Sequence, residues 1–128
     1  MKIFVTGRSI DVRNIKQIIK VLKENGHEIV FDWTAKGNLK PYIKYQIKAK
    51  NFSKNAIKAI NESDVFIFVT HQKVAGGSSV ELGAALNSYL NKGKPKVFLV
   101  GEYNSSVIFY FHPAINKKNK IEDVLSGI

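Results

Sequence analysis

The sequence predicts an α/β domain built on a mostly parallel five-stranded sheet with helices on both faces. Three observations predict it. Residues 2–6, 65–69 and 96–100 are short, almost wholly apolar runs, as expected of parallel strands buried on both faces. Segments of helical period lie between them. Strand and helix also alternate along the whole chain, which favours right-handed crossovers onto one sheet.

Each element has a local reason. Residues 2–6 form the first strand, and Thr6-Gly7-Arg8-Ser9-Ile10 is the loop at its carboxyl end. From Asp11 to Asn25, Val12, Ile15, Ile18, Ile19 and Leu22 recur at helical spacing, and Asn25-Gly26 stops the helix. His27 to Asp32 reads as the second strand. Trp33 to Asn38 reads as a loop, and Pro41 suits the first position of a helix. Ser53 suits the cap of a helix running through Glu62. Asp64 to Thr70 is the third strand, and Ser79 to Asn91 the next helix. Lys92-Gly93-Lys94-Pro95 is a turn before a fourth strand at Lys96 to Val100. A fifth strand falls within 107–111 or near Ile115, and Lys120 to Leu125 is a final short helix. The order of elements implies a flavodoxin-like (Rossmann-like) sheet of order 2-1-3-4-5.

At 128 residues the chain is expected to be one domain, 1–128, large enough for a real core. Hydrophobic residues make up 45%, which is ordinary for a globular protein. No apolar run is long enough to span a bilayer, and the amino terminus reads directly as a strand, so a cytoplasmic location with no membrane partner is the expectation. There is no cysteine, which excludes disulfides and thiolate metal sites. No His/Asp/Glu cluster has metal spacing, and the first loop lacks G-x-G-x-x-G, so neither a metal nor a dinucleotide cofactor is expected.

The formal net charge of +10 is almost all lysine, since Arg8 and Arg13 are the only arginines. Lys40, Lys44 and Lys48 would share one helical stripe, with Tyr42 and Tyr45 between them, and Lys50, Lys54 and Lys58 another. Such a surface could hold a nucleic-acid backbone. More often a charge run is a solvated face, and that reading is preferred.

In a sheet of this order, ligands bind beyond the carboxyl ends of the strands. That edge brings together Gly7 to Ile10, Asp32 and Trp33, His71 to Ser79, and Gly101 to Asn104. Gly76-Gly77-Ser78-Ser79-Val80-Glu81 is its most informative segment, because it sets a carboxylate in what reads as the first turn of a helix. Ser78-x-x-Glu81 fits a capping box. It also fits a nucleophile whose ionised form is held by the helix amino terminus.

With these loops assembled, the chain resembles the nucleoside 2-deoxyribosyltransferase superfamily, which includes deoxyribonucleoside 5′-monophosphate N-glycosidases. Three stretches carry the resemblance: Gly7-Arg8-Ser9-Ile10 after the first strand, Glu62-Ser63-Asp64-Val65-Phe66-Ile67, and Gly77-x-x-x-Glu81-Leu82-Gly83. Lys94 to Gly101, followed by His112-Pro113, is similar to short members of the group. The resemblance implies cleavage or transfer at the N-glycosidic bond of a nucleoside or nucleotide, with Glu81 as the nucleophile. It also implies that Gly7, Arg8, Ser9 and Ile10 handle the nucleotide end and that the protein is a homodimer. A silent nucleotide sensor on the same fold is the alternative.

The acids that the transferases place at the start of the preceding helix and shortly before the glutamate have no counterpart in Ser53–Ile57 or His71–Ala75. Asp64 begins a strand, so it should lie at the opposite end of the sheet. Asp32 is a candidate proton or sugar-hydroxyl partner, or else a turn cap. His71 is a candidate proton donor, or an exposed loop residue. Trp33 could stack on a base or pack beneath the following segment. Gly76, Gly77 and Ser78, and Tyr103 and Asn104 beyond the fourth strand, could complete the pocket or be ordinary turn residues. Ser9 and the backbone of Gly7 to Ile10 could cradle a phosphate at a helix start, or form a plain turn.

Overall fold

A computed structural model describes residues 1–37, 39–74 and 76–128; the sequence readings that touch Asn38 and Ala75 fall outside it. Five strands form one parallel sheet of order β2-β1-β3-β4-β5. They are β1 (Lys2–Thr6), β2 (Glu28–Ile29), β3 (Val65–Val69), β4 (Lys96–Val100) and β5 (Ile115–Lys118). The helices are α1 (Val12–Glu24), α2 (Gln46–Glu62), α3 (Gly76–Lys92) and α4 (Ile121–Leu125). The expected fold class and strand order are those observed. Among the described residues, no helix is long and apolar enough to cross a membrane.

The two-residue alternation of the strands divides the core into two halves. Ile3, Val5, Val65, Ile67, Val69, Phe98 and Val100 face α1 and α4, where Ile15, Ile18, Ile19, Leu22, Ile121 and Val124 meet them. Phe4, Phe66, Phe68, Val97 and Leu99 face α2 and α3, against Ala56, Ala59, Ile60, Leu82, Ala85 and Leu86. Register pairs Phe4 with Phe66, and their rings stack at 5.6 Å. Each fully buried phenylalanine in this core contributes about 2–3 kcal/mol by leaving water.

Several boundaries differ from the sequence reading. The second strand is two residues long rather than six. Val30 still donates its N–H to Ile3, but Phe31 then turns to stack on Phe4 and to meet Phe52 edge-on. The helix expected from Ser53 begins at Gln46, because the stripe Phe52, Ala56, Ala59 and Ile60 needs a longer helix to present it; Ser53 lies inside and its hydroxyl donates to Lys50 O. Pro41 opens a turn instead of a helix. Lys40 and Lys44 therefore lie outside α2 and share no helical stripe with Lys48; Lys44 and Lys48 both approach the Tyr45 ring. Residues 108–111 form a 3-10 turn, and the fifth strand is the one near Ile115.

At the end of β4, Gly101 has φ +126°, and a Cβ there would overlap Thr70 Oγ1, which donates to Val100 O. Both the backbone conformation and the space exclude a side chain. Gly101→Ala should cost about 2–4 kcal/mol in urea unfolding at unchanged m value. A loss of under about half a kcal/mol would contradict this account of the turn.

Candidate functional site

The alternation that builds the core also places the site. Thr6 is the last residue of β1 and follows Phe4 on the face covered by α3. It is 2% exposed, and its Oγ1 donates to Glu81 Oε1 at 2.7 Å. Glu81 thus lies over the carboxyl end of the sheet's central strands. Asp64 lies at the other end, accepting from the Lys2 backbone N–H at 2.9 Å, as its place before β3 implies.

Helix α3 begins at Gly76, three residues before the expected start, so Glu81 stands in the second turn. No acid lies in the first turn, and Ser78 is buried within the helix rather than at its cap. Neither the capping box nor ionisation by the helix terminus describes this carboxyl, because the terminal field fades within a turn. Burial pushes the Glu81 carboxyl up to about 7, and the Thr6 hydrogen bond opposes part of that rise. Near neutral pH the group is divided between acid and carboxylate, where an ordinary surface glutamate would be fully ionised.

Glu81 and Thr6 lie in a cleft of about 1220 Å³. Gly7, Arg8 and Ser9 line it from the loop after β1, and Gly76, Gly77 and Ser78 from the start of α3. Trp33, Lys36, Lys40 and Tyr42 line it from the segment before α2, and Lys50, Phe52, Ser53 and Ile57 from α2 itself. Among these described residues Glu81 is the only carboxyl, against four cationic side chains. The stretch where the resemblance calls for a second acid does reach the cleft, but it brings Ser53, Ala56 and Ile57.

The two groups of glycines differ. A Cβ at Gly7 would meet Ile15 Cδ1 at 2.9 Å and Val69 O at 3.1 Å, so packing alone requires that glycine. Gly76 and Gly77 have open space where a Cβ would stand. Trp33 donates Nε1–H to Val5 O at 2.8 Å and packs against the α1-side core while also lining the cleft.

Other expected site residues lie elsewhere. Asp32 caps the 3-10 turn Trp33–Ala35, accepting from Thr34 N at 3.0 Å and from Thr34 Oγ1, and it borders a separate depression beside α1. The His71 Nδ1 accepts from Lys73 N at 3.0 Å, which leaves the proton of the neutral ring on Nε2; that atom faces Asp11 Oδ1 at 3.9 Å. Asn104 uses its side chain within its own turn, donating to Gly101 O and accepting from Ser105 Oγ. Tyr103 and Ile10 are exposed, and neither lines the cleft. Among the described residues no group of His, Cys, Asp and Glu side chains is placed to hold a metal ion.

Sequence reasoning missed Thr6, Lys36, Tyr42, Lys50, Phe52 and Ile57 as cleft residues. Thr6 alone carried a signal: it is a hydroxyl that follows the apolar run Ile3-Phe4-Val5, in phase with Phe4. The other five depend on where α2 begins and how its approach folds back.

A buried ionised carboxyl costs stability. Glu81 binds its proton more tightly in the folded protein than in the unfolded chain. Folding is therefore unpenalised below the ordinary glutamate range and loses stability as pH rises through about 7. Glu81→Gln should be more stable than the parent at about pH 9, by on the order of 2 kcal/mol, and equal to it at about pH 4. Chemical denaturation at the two pH values checks this; equal stability at both would contradict it.

The chain has the fold of a solved structure from Clostridium botulinum, the CMP N-glycosidase BcmB. The two align with a TM-score of 0.64 at 20% identity, over 99% of this chain and 97% of that one. The likeness is one of fold. A scan against protein-family models finds no match, and a search of curated proteins finds none.

Proposed function

We propose that this chain cleaves the N-glycosidic bond of a nucleoside 5′-monophosphate or nucleoside, with Glu81 as the group that meets C1′. One observation carries the reading: a half-buried carboxyl raised to about 7, held by Thr6 in a large cleft at the carboxyl edge of the sheet. The fold shared with a CMP N-glycosidase supports hydrolysis over transfer to a second base. The cationic lining, with Arg8 two residues from Thr6, supports an anionic substrate.

In this reading the ionised form of Glu81 attacks C1′ as the C1′–N bond breaks, and the electron pair of that bond departs with the base. The base takes up a proton. Water then adds at C1′, displaces the carboxylate and loses its proton, giving the free sugar or sugar phosphate. No second carboxyl lines the cleft among the described residues, so the departing base draws its proton from solvent or from a lining hydroxyl such as that of Tyr42. The barrier is lowered mainly by the placed carboxylate and by the desolvation that makes it reactive.

Incubation with a panel of nucleosides and 5′-monophosphates, with and without an acceptor base, tests the reading. Base should be released without the acceptor. kcat/KM should rise with pH through about 7 and level above it, because the ionised carboxyl is the attacking form. Glu81→Gln should lower kcat by at least about a thousandfold. A folded Glu81→Gln protein with parental turnover would refute the assignment. Absence of any turnover would favour a nucleotide-binding role on the same fold.

Arg8 supplies a second test. Arg8→Ala should raise KM for a 5′-monophosphate about tenfold or more and leave the matching nucleoside nearly unchanged. Equal effects on both would remove Arg8 from phosphate recognition.

A further inference from the structure

Thr6 is a hydroxyl where the strand pattern calls for an apolar group. The neighbouring positions on its face, Phe4 and Phe68, are buried phenylalanines, and Phe68 is its register partner on β3. A hydroxyl so deeply buried is costly unless it is bonded. Its side-chain partner is Glu81 Oε1, at 2.7 Å, across 75 residues of sequence.

The anchor is rigid. β1 lies between β2 and β3, and its last residue is still in register with β3. A free glutamate has three rotatable side-chain bonds and offers either oxygen to a ligand. Here one oxygen accepts from a fixed donor, so the carboxyl is oriented before anything enters the cleft.

We propose that Thr6 is a positioning residue for the reaction: by donating to Oε1 it holds Glu81 in one orientation and leaves Oε2 as the oxygen that reaches C1′. The inference rests on the glycosyl chemistry proposed for Glu81. An oxygen already accepting a hydrogen bond has less electron density to give, so the two carboxyl oxygens are chemically distinct. A donor directed at the carboxylate also favours the ionised form over the acid, which keeps more nucleophile available near neutral pH. The partner that the family resemblance does not name is therefore at the carboxyl end of β1, on the same face of the sheet as the helix that carries the glutamate.

Thr6→Val keeps the shape of the side chain and removes the hydroxyl, and Thr6→Ser restores it. Two readouts are needed. One is the titration of the Glu81 carboxyl carbon by 13C NMR on glutamate-labelled protein without substrate, assigned with Glu81→Gln. The other is the pH dependence of kcat and KM on whichever nucleotide the panel identifies. Thr6→Val should move the carboxyl titration upward by roughly one pH unit, move the pH profile with it, and lower kcat about ten- to a hundredfold at little change in KM. Thr6→Ser should return both toward the parent. A folded Thr6→Val protein with the parental titration would overturn the proposal, as would parental kcat. If Thr6→Val does not fold, Thr6→Ala makes the same comparison. If the titration shifts but no nucleotide is turned over by the parent, the glycosyl reading has failed and, with it, the positioning role, while the control of Glu81 by Thr6 stands.

Discussion

The structure turns on a constraint that parallel sheets impose. Strands covered on both faces leave no water for a polar side chain, so any polar group there must find a partner within the protein. The buried positions of β1 and β3 obey this with Ile, Val and Phe, and at the carboxyl end of β1 the pattern admits Thr6. Its hydroxyl meets Glu81 and finds there the partner that its burial requires. The same burial that makes the bond necessary raises the carboxyl to about 7. The contact joins the end of β1 to α3, while the burial around it sets the proton affinity of the candidate nucleophile.

The rest of the cleft follows from how the surrounding segments are braced. Phe31 leaves the edge strand to stack on Phe4, and Phe52 of α2 meets Phe31 edge-on. That aromatic group seats α2 beside the sheet edge, where Lys50, Ser53 and Ile57 reach the cleft. Trp33, bonded to Val5 O, ties the segment between β2 and α2 back to β1. The result is a cationic enclosure around a single carboxyl among the described residues. Such an enclosure draws anions toward it.

The fold was largely legible in the sequence, because apolar runs, helical stripes and glycine stops are local signals. β4 was readable to the residue, and α1 nearly so, since Ile15, Ile18, Ile19 and Leu22 form an unbroken stripe. The segment before α2 was not legible. Its course depends on Phe31 and Phe52 meeting, a contact between residues that no periodicity connects. Of the residues the strand-edge rule gathers, Gly7, Arg8, Ser9, Trp33, Gly76, Gly77, Ser78 and Glu81 line one cleft. Ile10, Asp32, His71, Tyr103 and Asn104 do not line it, because lying at the right edge does not fix which side of the sheet a side chain serves. Asp32 turns inward to cap its own turn, and His71 turns toward Asp11. The environment of Glu81 was misread for a related reason. A start of α3 only three residues earlier moves the group from the helix terminus into the second turn, and burial then dominates its proton affinity.

The central claim is that the Glu81 carboxylate forms a bond to the sugar carbon. Trapping that bond tests it most directly. The protein is incubated with 2′-fluoro-arabinosyl nucleoside 5′-monophosphates, whose fluorine slows the second step, and its intact mass and peptide masses are measured. The account predicts a gain of one fluorinated sugar phosphate, located on the peptide containing Glu81 and absent in Glu81→Gln. Base release from the fluorinated nucleotides with no adduct at Glu81, or an adduct on another residue, would contradict it.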